Sequence, residues 1–215
     1  MKALYTGKND KNEHKIDGYI IDVVKKTGLV EIQTKNFLKI KPKLKKLLVN
    51  HKIKLVHNIA AVKWLIKTDE QGNVLSKRKS SKKGNFYDIF NELIYIIDLI
   101  QNPEFTLEIL VTEEEEIRCD DGKGSWRRKG VRIADRKLVG ILEKKKMCGI
   151  DDYMKVLPLV AEPFSTKDIA GELGIKVLLA RKMLYFYKKL KLINCSGKKG
   201  NLLLYKRKRT RKKKT

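Results

Sequence analysis

Between Ser165 and Tyr205 the sequence specifies its own order of elements more tightly than anywhere else in the chain. Ser165-Thr-Lys-Asp168 sets a hydroxyl at a helix N-cap and an acid in the first turn, where exposed amide groups and the helix dipole favour negative charge. Ile169, Ala170 and Leu173 supply that helix with an apolar face, and Gly174 makes the turn. Lys176 to Leu190 reads as a second, longer helix, with Leu179, Met183, Phe186, Tyr187 and Leu190 recurring on one side. Leu192 and Ile193 enter a strand, Gly197 to Gly200 forms a tight basic turn, and Leu202 to Tyr205 returns. A helix from Asp151 to Leu157, stopped at Pro158, precedes them. These are the parts of a winged helix-turn-helix.

Charge points the same way. Lysine and arginine number 50 against 25 acidic residues, for a net charge of +25. Eight of those cations lie between Lys206 and Lys214, so the rest of the chain still carries +17. Such an excess suits a polyanionic partner. No acidic residue follows Glu172. Lys176, Arg181, Lys182 and Lys188 fall on or beside the second helix, and Lys198 and Lys199 fall at the tip of the wing. Contacts of this kind hold phosphates more than they read bases, so DNA bound with weak sequence preference is the expected partner. Trp126, Arg127 and Arg128, in the glycine-flanked loop Asp121 to Gly130, offer a ring to stack on a base and two guanidinium groups to grip phosphate. Alternatively, Trp126 anchors the loop on the core.

Upstream, the pattern is mixed. Tyr19 to Val24 and Leu29 to Thr34 read as a hairpin around the turn Lys25 to Gly28. A helix follows from Leu38 to Leu48 with Pro42 in its first turn, then short strands at Ile53 to His57 and Val62 to Lys67. A basic loop spans Lys77 to Lys83, a helix spans Tyr87 to Leu99, and a strand from Phe105 to Val111 runs into the acidic patch Glu113 to Glu116. The expected division is residues 1–68, a middle extension 69–148, the winged helix 149–205 and a basic tail 206–215. No apolar run approaches the length of a membrane span of roughly 20 residues, and no signal peptide is legible. Three scattered cysteines make neither a disulfide framework nor a zinc site, so a cytoplasmic protein without membrane contact is expected.

The hairpin carries the one constellation that suggests catalysis. Its turn pairs Val24 with Leu29, Val23 with Val30 and Asp22 with Glu31. Paired residues share a face, and Gln33 joins them by alternation. Two adjacent carboxylates gain most by sharing a divalent cation. Ile21-Asp22-Val23-Val24, turn, Leu29-Val30-Glu31-Ile32-Gln33-Thr34, then helix and strand, resembles the PD-(D/E)xK (restriction-endonuclease-like) nuclease superfamily. More narrowly, Glu31 to Thr34, the loop Lys77 to Lys83, Ser125 to Gly130 and the winged helix from Thr166 to Tyr205 resemble a group of prokaryotic proteins of that kind, along nearly the whole chain.

That resemblance implies an α/β (α+β) fold: a small restriction-endonuclease-like mixed sheet followed by the winged helix-turn-helix. It implies a magnesium- or manganese-dependent DNA endonuclease in which Asp22 and Glu31 bind metal and Glu13 assists from a helix. Gln33 stands where the superfamily usually has a catalytic lysine, and glutamine supplies neither base nor positive charge. Lys35, two residues on, would lie on the same face if the strand continues. The residues before the first strand are too few for the superfamily's long opening helix. The alternative is a non-catalytic DNA-binding protein, a regulator or defence component, that keeps the nuclease shell for packing or as a homodimer. RNA binding fits the charge but suits the winged helix less naturally.

Overall fold

The computed structural model describes residues 1–124, 126 and 130–208. The chain is a mixed α/β protein with an open mixed sheet and several helices. It divides into two units that interleave along the sequence. The first takes residues 1–34, 55–86 and 107–146, and the second takes 35–54, 87–106 and 147 onward. No helix among the described residues is long and apolar enough to cross a membrane.

The first unit is built on seven strands: β1 (Lys11–Ile16), β2 (Tyr19–Lys25), β3 (Gly28–Gln33), β4 (Ile53–Thr68), β5 (Val74–Lys79), β6 (Phe105–Asp120) and β7 (Val131–Met147). Their order is β1-β2-β3-β4-β6-β7, with β5 also paired to β4. β1, β2 and β3 form an antiparallel meander. Asp17 and Gly18 both have positive φ, as a two-residue hairpin matched to the strand twist requires. The β2–β3 register is the one expected, with Val23 opposite Val30 and Val24 opposite Leu29. The ion pairs Lys63–Glu116 and Lys67–Asp120 advance together along β4 and β6, so these strands run the same way. Arg136–Glu116 and Lys144–Glu108 advance in opposite senses, so β7 runs against β6.

A core cluster of Tyr5, Val23, Val30, Val56 and Leu110 packs on one face, with Met1 and Ile32 against it. Polar side chains on the Leu110 face of β6 are buried in mutual contact. Glu108 accepts from the Tyr5 hydroxyl and pairs with Lys144. Asn58 donates to Glu114, and Thr112 donates to Asn58 at 2.8 Å.

Several strands differ from expectation. β1 is an added edge strand whose residues are almost all exposed, so it carries no apolar alternation to read. β4 is one strand of 16 residues rather than two short ones. Residues 58–61, which lay between the two expected strands, continue it, and Asn58 is satisfied inside the sheet. Glu113 to Glu116 continue β6 instead of ending it. Each finds a partner: Glu113 the Trp64 indole N–H, Glu114 Asn58, Glu115 Lys77, and Glu116 Arg118, Arg136 and Lys63. Part of the basic loop Lys77 to Lys83 is strand β5.

The second unit holds α1 (Phe37–Leu47), α2 (Phe90–Leu93), α3 (Ile150–Met154), α4 (Thr166–Leu173), α5 (Val177–Lys189) and strands β8 (Phe164–Ser165), β9 (Ile193–Lys199) and β10 (Leu202–Arg207). α1 buries Phe37, Ile40, Leu44 and Leu47 at helical spacing. It starts before Leu38, so Pro42 lies inside the helix and not in its first turn. The single helix expected over Tyr87 to Leu99 is instead a 3-10 turn, the one-turn α2 and a second 3-10 turn. The β-branched run around Ile94, Ile96 and Ile97 disfavours regular helix there.

Candidate nucleic-acid interface

Ser165 and Asp168 make a complete capping box at the head of α4. The Ser165 hydroxyl accepts from the backbone of Lys167 and Asp168, and the Asp168 carboxylate accepts the Ser165 N–H at 2.7 Å. That backbone bond, followed by the hydroxyl, holds the Asp168 carboxyl below the usual carboxylate range; Lys199 adds a smaller attraction. Gly174 closes α4 at φ 61°, and the Ile175 N–H reaches back to the Ala170 carbonyl at 3.0 Å. A left-handed C-cap of this kind favours glycine.

α5 then packs through Leu179, Ala180, Met183, Leu184, Phe186 and Tyr187. Phe186 meets Phe90 edge-on, with ring centroids 5.3 Å apart, and Tyr153 at 5.4 Å. The Tyr187 hydroxyl donates to the Tyr153 carbonyl at 2.6 Å. β8, β10 and β9 form a three-stranded antiparallel sheet in that order, with Tyr205 opposite Phe164 and Leu203 opposite Lys198. Gly197 to Lys199 belong to β9, so the tight turn narrows to Gly200 and Asn201.

The opposite side of α5 is exposed. Leu178, Arg181, Tyr185 and Lys188 recur at three- and four-residue intervals and form one stripe. Leu178 is 65% and Tyr185 49% exposed, and the Lys189 ammonium lies 5.6 Å from the Tyr185 ring centre. Lys176, the N-cap of α5, is exposed, as are Lys198 and Lys199 at the end of β9. Lys182 does not join them. It is half-buried and donates to the Asn91 side chain at 2.8 Å. Arg207 is also engaged, by Glu162, by the carbonyls of Pro158 and Val160, and over the Phe164 ring. Sequence reasoning named the cations but missed Leu178 and Tyr185. Their signal was an offset of about half a helical turn from the apolar face of α5. Trp126 is 82% exposed. Arg127 and Arg128 lie outside the described residues.

The acidic hairpin has a different character. Asp22 drops out of both flanking ladders: Asn12 pairs with Val23 and His14 with Ile21, while the β2–β3 pairing ends at Val23. One carboxylate oxygen of Asp22 accepts the Ile32 N–H at 2.8 Å, and the other meets the Lys2 ammonium at 3.0 Å. Glu13 meets the same ammonium at 2.6 Å. These bonds, Glu13 first, hold the Lys2 ammonium above its ordinary range. Glu13 therefore sits on strand β1 with φ 50°, not on a helix as expected. It does converge with Asp22, around a lysine.

Glu31 is buried, and the Gln33 carbonyl contacts His57 Nδ1 at 2.9 Å. Lys35 follows the end of β3 and is exposed, so the strand does not carry it onto the Gln33 face. Among the described residues no group of three or more His, Cys, Asp or Glu is arranged to hold a metal ion.

A mixed α/β fold with an open mixed sheet and several helices thus defines the kind of protein this is. Residues 1–148 match the family model of a domain of unknown function, DUF8091, and the chain belongs to that family. Over 209 residues it is 30% identical to an uncharacterized protein of Treponema pallidum (strain Nichols), a match covering 96% of this chain and 82% of the relative. That likeness extends into α4, α5 and the strands after them, which follow the end of the family match. No solved structure matches.

Proposed function

We propose that the protein is a non-catalytic DNA-binding protein. It holds duplex DNA through α4 and α5 as a helix-turn-helix, with the β9–β10 hairpin as a wing. The observation that carries this reading is the exposed stripe Leu178, Arg181, Tyr185 and Lys188 on α5, in a stretch without an acidic residue. Arg181, Lys188, Lys198 and Lys199 contact phosphates, and Leu178 and Tyr185 supply apolar contact in the groove. With few groups able to pair bidentately with base edges, sequence preference is weak. The three cysteines are free, which suits a reducing cytoplasm.

The test is fluorescence anisotropy with a duplex about two helical turns long, at several salt concentrations. Arg181→Ala and Lys188→Ala should each weaken binding and lower the slope of log K against log salt by about 1. Lys182→Ala should leave the slope unchanged. Absence of binding at low salt, or slopes unchanged in the first two variants, overturns the proposal. The metal-dependent nuclease reading has less support: among the described residues no group of three or more His, Cys, Asp or Glu is arranged to hold a metal ion, and Lys2 pairs with both Glu13 and Asp22. Plasmid DNA with magnesium or manganese should stay uncut.

A further inference from the structure

β7 ends the sheet, so one side of a 17-residue strand carries backbone donors and acceptors with no neighbouring strand among the described residues. Edges of this length template pairing unless they are blunted, and proteins normally shorten, bulge or cover them. Apolar side chains accompany this one: Val139, Ile141 and Leu142 are 53%, 41% and 55% exposed. At the centre of the strand stands Gly140, where an added Cβ would meet nothing within 4 Å. A strand-interior glycine often marks the close approach of another backbone.

We propose that β7 pairs antiparallel with β7 of a second copy of this chain, about a two-fold axis at Gly140. In such an isologous pairing directly opposed residues share a face. Val139 then opposes Ile141 of the second copy, and Leu138 opposes Leu142, so four apolar pairs flank the axis. Beyond them Lys137 opposes Glu143 and Asp135 opposes Lys145, each twice, and Ile133 opposes Met147. The one like-charged pairing, Arg136 with Lys144, involves cations already neutralised within their own sheet, by Glu116 at 3.2 Å and Glu108 at 3.1 Å. Lys145 rests over the Phe86 ring at 4.9 Å, on the same face as Asp135.

Neighbouring registers lack this complementarity. An axis at Val139 sets Asp135 against Glu143, and an axis at Ile141 sets Lys137 against Lys145. The alternating charges of β7 thus specify a second copy in one register, independently of whether the protein binds DNA.

The experiment is sedimentation of the full chain without nucleic acid, at micromolar concentration, together with a cysteine probe. The protein should sediment as a dimer. Lys137→Glu should raise the dimer Kd by about tenfold or more, because two cross-strand pairs turn repulsive at once. Lys137→Glu with Glu143→Lys should restore it, which a general loss of folding would not. In a Cys148→Ser, Cys195→Ser background, Gly140→Cys should form a covalent dimer on mild oxidation. Opposed antiparallel residues are about 4.5–5.5 Å apart at Cα, within disulfide reach. Leu138→Cys alone should not. A monomer, a dimer indifferent to Lys137→Glu, or a Gly140→Cys variant that does not cross-link overturns the proposal.

Discussion

Replacing Tyr153 by phenylalanine removes a buried hydroxyl that has no hydrogen-bond partner among the described residues. Burial also pushes this hydroxyl well above the usual tyrosine range, so it stays a neutral group that water would solvate better than the core does. An unsatisfied buried hydroxyl costs about 1–3 kcal/mol, and phenylalanine keeps the ring contacts with Phe186. Tyr153→Phe should therefore stabilise the protein by about 1 kcal/mol. Tyr187→Phe should act in the opposite direction. The Tyr187 hydroxyl donates to the Tyr153 carbonyl at 2.6 Å, and that carbonyl keeps the Val156 N–H at 3.1 Å when the hydroxyl is lost. The loss is thus one net hydrogen bond, about 1 kcal/mol. Reversible denaturant unfolding followed by circular dichroism should separate the two variants by about 2 kcal/mol, or roughly 4–8 °C in Tm. If Tyr153→Phe destabilises the protein as much as Tyr187→Phe does, the reasoning about the orphaned hydroxyl is refuted.

Ser165→Ala should cost about 1 kcal/mol by opening the α4 capping box. Because Asp168 is held below its ordinary value of 3.8, the cap contributes fully above that pH and is lost as pH falls through the lowered native value. The bonds that Ser165→Ala removes do not titrate, and the backbone N–H bond to Asp168 remains in the variant, so the gap between variant and parent should narrow only in part in acid. Burial alone would raise Glu116, but hydrogen bonds from Arg118 and Arg136 outweigh it and hold the carboxyl low. Glu116→Gln leaves these cations and Lys63 uncompensated, and should lower stability by about 2 kcal/mol at neutral pH, discounted because the cations are partly exposed. Urea unfolding at neutral pH and at pH 3 measures both effects.

What could be read from the sequence depended on how far apart the deciding partners lie. The β2–β3 register, the Ser165 cap, the Gly174 turn and the core face of α5 are settled by residues within a few positions of one another, and all were legible. The long strands were not. Residues 58–61 fell between two expected short strands, where Glu114 and Thr112 satisfy Asn58, and the run Glu113 to Glu116 looked like a strand end until cations from β4, β5 and β7 neutralised it. β7 carries so many lysines among its apolar residues that no face declares itself. The acidic hairpin shows the same limit. The resemblance placed Glu13 near Asp22, but the identity of their cation depended on Lys2, eleven or more residues away from either.

The separation of Tyr5 from Glu108, 103 residues along the chain, has a consequence for the order in which the molecule can form during synthesis. The meander β1–β3 emerges first, but the cluster around Tyr5 lacks Leu110 until β6 is made. Contacts so distant in sequence close slowly, because the chain entropy between them must be lost before they can stabilise anything. Helices α4 and α5 and the hairpin β9–β10 have mostly local contacts and are made after every strand of the first sheet. The nascent chain therefore carries an unfinished sheet for much of translation. The stage most exposed to misassembly and chaperone capture precedes synthesis of β6, and slowing translation just after β6 should raise soluble yield.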